Sequence, residues 1–160
     1  MSQPFRVPVG LRLNQAARVV ERAFDEALAE AGGTLPVWLI LLNLKIAKPG
    51  TQRELAEAVG VKEATLTHHL NAMDVRGLIT RKRDAANRRI HVVELTEEGE
   101  AAFRRLREAA MAFDTRLREG LSDADLGQIE TLLGALAANA SGASGQGADA
   151  AEGPFGRATP

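Results

Sequence analysis

The sequence predicts a mainly α-helical protein with one small β-hairpin, and three observations lead to that prediction. Apolar residues recur at spacings of three and four along most of the chain, which is the period of amphipathic helices. Residues that favour helix caps precede several of these segments, and glycines follow them. Two β-branched runs flank the polar stretch 84–89, which is typical of a hairpin.

The composition excludes several classes of function. The chain has 160 residues, the size of one compact domain or of two small lobes that share a core. It has no cysteine, which excludes disulfides, thiolate metal sites and thiol nucleophiles. Its formal net charge is -1, so any attraction to nucleic acid has to come from a local patch.

Neither membrane insertion nor secretion is indicated. The longest apolar run, residues 35–42, is far too short to span a bilayer, and the N-terminal segment lacks the hydrophobic core of a signal peptide. We therefore expect a soluble, cytoplasmic protein without a membrane partner.

Two helices are expected before residue 50. The first ends at Gly32 and Gly33, and its apolar residues share one face: Leu13, Ala17, Val20, Phe24 and Leu28. The second begins near Thr34 and Pro36 and is apolar almost all round, so it should be buried. Pro49 and Gly50 then stop it.

The next segment predicts a short helix and a longer one. Thr51 and Glu54 have the spacing of a capping box, and Gly60 ends the helix that they begin. The longer helix runs from about Lys62 to Arg76, and Gly77 fits its C-terminal cap.

The hairpin and two further helices follow. Thr96 is expected to cap a long helix in which apolar residues form a heptad seam, typical of a helix that packs on a partner: Phe103, Leu106, Ala110, Phe113 and Leu117. Ser122 and Asp125 resemble a capping box for the last helix. Residues 140–160 are rich in Ala, Gly and Ser and predict a disordered tail.

The central pair of helices has the residue types of a helix-turn-helix. Ala56 permits a close helix crossing, Gly60 permits a positive φ in the turn, and Leu66 anchors the second helix. A plain helical hairpin in a core is the alternative. The β-hairpin that follows favours the winged helix-turn-helix arrangement.

The charge distribution agrees with this interpretation. Residues 62–91 contain seven basic residues and three acidic ones, in a chain that is nearly neutral overall. Such groups can bind phosphates and release counterions, although a solvated surface is the ordinary alternative for a run of charges.

From about residue 11 to residue 138, the chain resembles the MarR family of winged-helix bacterial transcription regulators. Residues 38–42 resemble the second helix of that family, and residues 52–56 and 62–67 resemble its DNA-binding helices. Residues 87–89 and 92–99 resemble its wing signature, usually Asp-x-Arg followed by a strand that ends in Leu-Thr-x-x-Gly.

The resemblance implies specific roles in the wing. Arg89 falls on the signature arginine, which the family inserts into the minor groove, and Arg88 is a second candidate for that role. Asn87 stands where the family usually has an aspartate that braces the arginine, so any brace here is neutral.

His68 and His69 raise the alternatives of a metal site or a catalytic pair. Neighbouring residues on a helix point about 100° apart, and neither histidine has a His, Asp or Glu partner three or four residues away. No Ser or carboxylate is positioned to orient either histidine for catalysis. We therefore expect no enzyme activity, no cofactor and no metal.

The remaining role for this helix is contact with double-stranded DNA. Its outward residues have hydroxyl, methyl, imidazole and amide groups that can bind phosphates and base edges, whereas His69 lies nearer the boundary and competes with a packing role. The candidate DNA-contacting residues are Gln52, Lys62, Ala64, Thr65, Thr67, His68, His69, Asn71, Arg81, Arg83, Arg88 and Arg89.

The predicted organisation is that of a homodimeric regulator. Residues 1–33 and 96–139 would form a helical dimerisation lobe, residues 34–95 the DNA-binding domain and residues 140–160 the tail. In the family that the chain resembles, small and often aromatic or anionic effectors bind between the two lobes. Trp38, Arg18 and Arg22 are candidates to line such a site, although a core or surface role is the stronger interpretation for each. A winged-helix module that binds another protein is the alternative function.

Overall fold

The structure is a computed structural model that describes residues 7–47, 51–83 and 91–142, without the side chains of residues 83, 91 and 92. Within these ranges the chain forms six helices and a two-stranded sheet: α1 (Val9–Glu30), α2 (Leu35–Ile46), α3 (Gln52–Val59), α4 (Glu63–Val75), β1 (Ile79–Arg83), β2 (His91–Leu95), α5 (Glu97–Leu117) and α6 (Asp123–Ala140). The predicted mainly helical fold with one hairpin is confirmed.

Two compact units divide the chain, residues 1–113 and residues 114–160, and α5 crosses the boundary between them. In the first unit, one apolar core collects side chains from every helix and from the start of the hairpin. The fully buried larger side chains in that core are Leu28, Ile40, Leu41, Leu55, Leu66, Leu70, Met73, Ile79 and Leu106.

Helix α2 is the central element of this core. Thr34 caps its first turn by accepting a hydrogen bond from the Val37 amide at 3.5 Å. Trp38 is 4% exposed and stacks on Phe103 of α5, with ring centroids 5.8 Å apart. The prediction of a buried α2 is thus correct for most of its length, but Ile46 at its end is 71% exposed.

The sheet is an antiparallel hairpin in which Ile79 pairs with Leu95 and Arg83 with His91. Successive β1 side chains alternate between faces, so Ile79 is buried and Arg81 half-buried while Thr80 and Lys82 are exposed. The inner face of β1 therefore lies against the helical core.

One threonine joins the end of the hairpin to α5. The Thr96 hydroxyl donates to the Gly77 carbonyl at 2.5 Å and accepts from the Gly99 amide at 3.0 Å. The Thr96 amide donates to the Leu78 carbonyl at 3.1 Å. Thr96 thus caps α5, as predicted, and also ties it to the turn that follows α4.

The apolar seam of α5 is buried at one end only. Phe103 and Leu106 lie in the core of the first unit. Phe113 is half-buried and contacts Phe24 of α1, with ring centroids 5.0 Å apart, whereas Leu117 is 48% exposed. Packing within the first unit therefore buries the first two residues of the seam, Phe103 and Leu106.

The second unit contains α6, which begins with the predicted capping box. The Ser122 hydroxyl accepts from the Asp125 amide at 3.2 Å, and the Asp125 carboxylate accepts from the Ser122 amide at 2.9 Å. Hydrogen bonds from the hydroxyl and then the amide of Ser122 hold the pKa of Asp125 below its ordinary value.

Among the described residues, no single helix has both the length and the apolar content needed to cross a membrane. Within the described ranges, α1 and α2 meet that test when they are counted together, and they are bent by 75° at the break between them.

Candidate nucleic-acid interface

Helices α3 and α4 and the turn between them form a helix-turn-helix, and glycines end both helices. Gly60 has a φ of 78°, and the amide of Val61 donates to the Ala56 carbonyl at 3.0 Å. Gly77 has a φ of 70°, and the amide of Leu78 donates to the Met73 carbonyl at 2.9 Å. Both ends have the Schellman pattern, which needs a left-handed residue that glycine adopts without strain.

The buried side of this motif agrees with the sequence prediction. Ala56 is 2% exposed and Leu66 is 1% exposed, so the small residue and the anchor both lie inside. The N-terminus of α3 is capped by the Thr51 hydroxyl, which accepts from the Glu54 amide at 3.1 Å. Gln52 is half-buried at the start of that helix.

Helix α4 has one buried face and one exposed face. Its buried face consists of Leu66, Leu70 and Met73. His69 is half-buried, at the boundary, as expected. The predicted DNA-contacting residues that are exposed here are Lys62, Ala64, Thr65, Thr67, His68 and Asn71.

The exposed face of α4 has several kinds of hydrogen-bonding group. The Thr67 hydroxyl donates to the Glu63 carbonyl of its own helix at 2.9 Å, which leaves the hydroxyl oxygen as an acceptor and the methyl group for apolar contact. The rings of His68 and His69 lie 5.9 Å apart in an edge-on arrangement. Among the described residues, no group of three or more His, Asp or Glu side chains could hold a metal ion.

Basic residues near α4 have protein partners that the sequence did not reveal. Arg81 donates from Nη2 to Asn71 Oδ1 at 2.6 Å, across ten residues of sequence. Lys82 forms an ion pair with Glu94 of the opposite strand at 2.6 Å. Arg76 donates from Nη2 to the Gly32 carbonyl at 3.3 Å.

The rest of the predicted wing site lies outside what the structure describes. Arg88 and Arg89 fall between the described ranges, and the side chain of Arg83 at the end of β1 is also outside them. Contact of these three residues with DNA stays a prediction, as does contact by the exposed residues of α4.

Comparison with known proteins agrees with this geometry. The model of the MarR family matches residues 34–91, which include α2, α3, α4 and β1. The chain is also similar to the solved structure of the transcriptional repressor CouR bound to a 23-mer DNA duplex. That match has 30% identity and a TM-score of 0.72, and it covers 81% of this chain and 92% of CouR.

Two further matches are functionally informative. CouR from Rhodococcus jostii RHA1 bound to p-coumaroyl-CoA matches at 25% identity with a TM-score of 0.67, over 85% of this chain and 96% of that one. The M. tuberculosis transcriptional regulator MosR in complex with DNA matches at 25% identity with a TM-score of 0.66, over 88% of this chain and 100% of that one. The chain therefore belongs to the MarR family of DNA-binding transcription regulators.

Proposed function

We propose that this protein is a homodimeric repressor that places α4 in the major groove of a pseudo-palindromic operator. The observation that carries the proposal is the exposed face of α4 with Thr65, Thr67 and His68. The opposite face of the helix is buried in the core through Leu66, Leu70 and Met73. A rigidly packed helix with such a face fits the width of the major groove.

The groups on this face match the chemistry of base edges. The Thr67 oxygen can accept from an amino group of cytosine or adenine, and threonine methyls can contact the methyl of thymine. His68 adds an imidazole that can hydrogen-bond to a base or a phosphate. We expect Lys62, at the N-cap of α4, to contact a phosphate.

In this proposal the hairpin contacts the neighbouring minor groove. Arg88 and Arg89 lie between the two strands in sequence, where a guanidinium can enter the negative potential of a narrow minor groove. Arg83 at the end of β1 would contact the backbone nearby.

The exposed apolar residues of each unit support a homodimer. In the first unit, Val9 is 60% exposed and Leu11 58%, both near the start of α1. In the second unit, Leu132 is 57% exposed and Leu133 44%. A second copy of the chain would cover both surfaces, and a twofold dimer would space two α4 helices about one DNA turn apart.

Repression and control by a ligand are proposed from the relatives. CouR is a repressor and binds p-coumaroyl-CoA, an aromatic and anionic compound. In this chain, Arg18 and Arg22 are exposed on α1. Trp38 has a buried Nε1 without a hydrogen-bond partner among the described residues. A small aromatic or anionic effector that weakens DNA binding is therefore part of the proposal, and p-coumaroyl-CoA is the probe with which to begin.

The DNA-binding proposal is tested by selecting bound duplexes from random DNA and measuring affinity for them across salt concentrations. We expect a steep decrease in affinity with salt, and Arg89→Ala should weaken binding. Arg105→Ala is the control, because Arg105 is an exposed arginine on α5 that pairs with Glu98. If no duplex is enriched, the proposal is wrong and the winged-helix module that binds another protein becomes the better hypothesis.

The homodimer is tested by analytical ultracentrifugation. Leu132→Glu places a charge on the exposed apolar face of α6 and should shift the protein towards a monomer. Gln128→Glu adds the same charge at an exposed polar position of α6 and should leave the dimer intact. A wild-type protein that is monomeric at micromolar concentration would contradict this part of the proposal.

A further inference from the structure

A hydrogen bond joins strand β1 to helix α4 beside the proposed DNA-contacting face. Arg81 Nη2 lies 2.6 Å from Asn71 Oδ1, and the bond is charge-assisted because its donor is a guanidinium. The sequence suggested that each of these residues contacts DNA separately. In the folded protein they contact each other.

Part of the Arg81 side chain is buried. It follows Ile79 by two residues, so both side chains are on the inner face of β1, where Ile79 is 1% exposed. The Nε atom of Arg81 is buried and has no hydrogen-bond partner among the described residues. A phosphate therefore cannot reach Nε, and Nη2 already donates to Asn71.

Asn71 lies at the edge of the α4 surface that the proposed function uses. It is exposed and follows Thr67 by four residues and His68 by three, so the three side chains share one face of the helix. Its Oδ1 accepts from Arg81, and its Nδ2 group can donate to DNA.

We infer that Arg81 and Asn71 are a positioning pair that fixes the hairpin against α4, so that both elements meet DNA in one relative orientation. The inference rests on the proposed function and deepens it. Arg81 acts through Asn71 and is not itself a phosphate contact. A hairpin that is already oriented loses less conformational freedom on binding, which raises affinity without an added contact to DNA.

The test is a double-mutant cycle with Asn71→Ala, Arg81→Ala and the double variant, measured as affinity for the selected duplex. For a pair that acts as one unit, each single substitution should weaken binding roughly tenfold, and the double variant also about tenfold instead of about a hundredfold. Additive losses would overturn the inference, because they mean that each residue contacts DNA independently.

The salt dependence of binding gives a second, independent readout. If Arg81 contacts no phosphate, Arg81→Ala weakens binding but leaves the slope of log affinity against log salt unchanged. A phosphate contact would instead lower that slope by about one. A lowered slope would therefore overturn the inference even if the cycle showed coupling.

The matched control is the ion pair between Lys82 and Glu94, which lies on the same hairpin at the same 2.6 Å but does not reach α4. Its cycle should show no coupling in DNA affinity, and equal coupling there would overturn the inference. All variants are compared at a temperature where circular dichroism shows them fully folded. If wild-type protein binds no duplex, the proposed function fails and this inference fails with it, whereas additivity in a wild type that binds overturns the inference alone.

Discussion

Gly99 in the first turn of α5 is a position where one methyl group should disturb the packing of α5 against the turn that follows α4. A Cβ built on Gly99 would lie far inside van der Waals contact of the Leu78 carbonyl oxygen. The obstacle is backbone, so no side-chain rotation can relieve it. Gly99→Ala should therefore push the start of α5 away from the turn that follows α4.

The cost follows from the contacts that this displacement strains. Overpacking a tight site costs about 1–3 kcal/mol. The same movement stretches the two hydrogen bonds by which Thr96 holds the carbonyls of Gly77 and Leu78, each worth about 1 kcal/mol. Alanine recovers at most about 1 kcal/mol over glycine in a helix. We expect Gly99→Ala to lower the free energy of unfolding by about 2–4 kcal/mol.

Chemical denaturation followed by circular dichroism measures this loss, with all proteins at one concentration because a dimer is expected to unfold in a concentration-dependent way. Gly127→Ala in α6 is the matched control: an added Cβ there meets nothing within 4 Å, so stability should stay the same or rise by up to about 1 kcal/mol. A Gly99→Ala protein within about 0.5 kcal/mol of wild type would refute the reasoning.

Three other predictions concern α4 and α6. Leu70 is 0% exposed, so Leu70→Ala should lower the free energy of unfolding by about 2–5 kcal/mol in chemical denaturation. His68→Ala should weaken DNA affinity, measured by fluorescence anisotropy, more than His69→Ala does, because His68 is exposed and His69 is half-buried. The Ser122 hydroxyl lowers the pKa of Asp125, so the stability that this carboxylate contributes to α6 is present above its ordinary pKa and is lost as the pH falls through the lowered value. Acid titration followed by circular dichroism should show that loss in wild type and not in Asp125→Asn.

Each of these predictions has an outcome that would contradict it. Val75→Ala is the control for Leu70, since Val75 is 91% exposed on the same helix and its loss should change stability by less than about 0.5 kcal/mol. Equal losses of DNA affinity in the two histidine variants would show that His69 also contacts DNA. Identical acid titrations of wild type and Asp125→Asn would show that the capping carboxylate contributes nothing to α6.

Much of the fold could be predicted because its signals are local. Thr34, Thr51 and Ser122 cap helices in the structure as their sequence positions indicate, and Gly60 has the positive φ that the predicted turn needs. Caps and left-handed turns depend on a few neighbouring residues, so a sequence contains them nearly complete. The inward residues of α4 were predictable for the same reason, since the helical period assigns them to one face.

The candidate site was less predictable, because its decisive contacts join residues that are distant in sequence. Nothing in the segment of Asn71 indicates that its carbonyl oxygen accepts from Arg81, and nothing near Lys82 in sequence indicates its ion pair with Glu94. Such pairings depend on the register of the hairpin and its packing against α4, which periodicity does not specify.

By itself, the sequence determined the order of helices and hairpin, the caps and turns, the inward face of α4 and the likeness to the MarR family. Only the tertiary structure decided which apolar and polar side chains have partners. Phe103 is buried while Leu117 in the same seam is 48% exposed, and Arg81 is tied to Asn71. The physical reason is range: capping and helical period act within a few residues, whereas burial and side-chain pairing depend on segments that only the folded chain brings together.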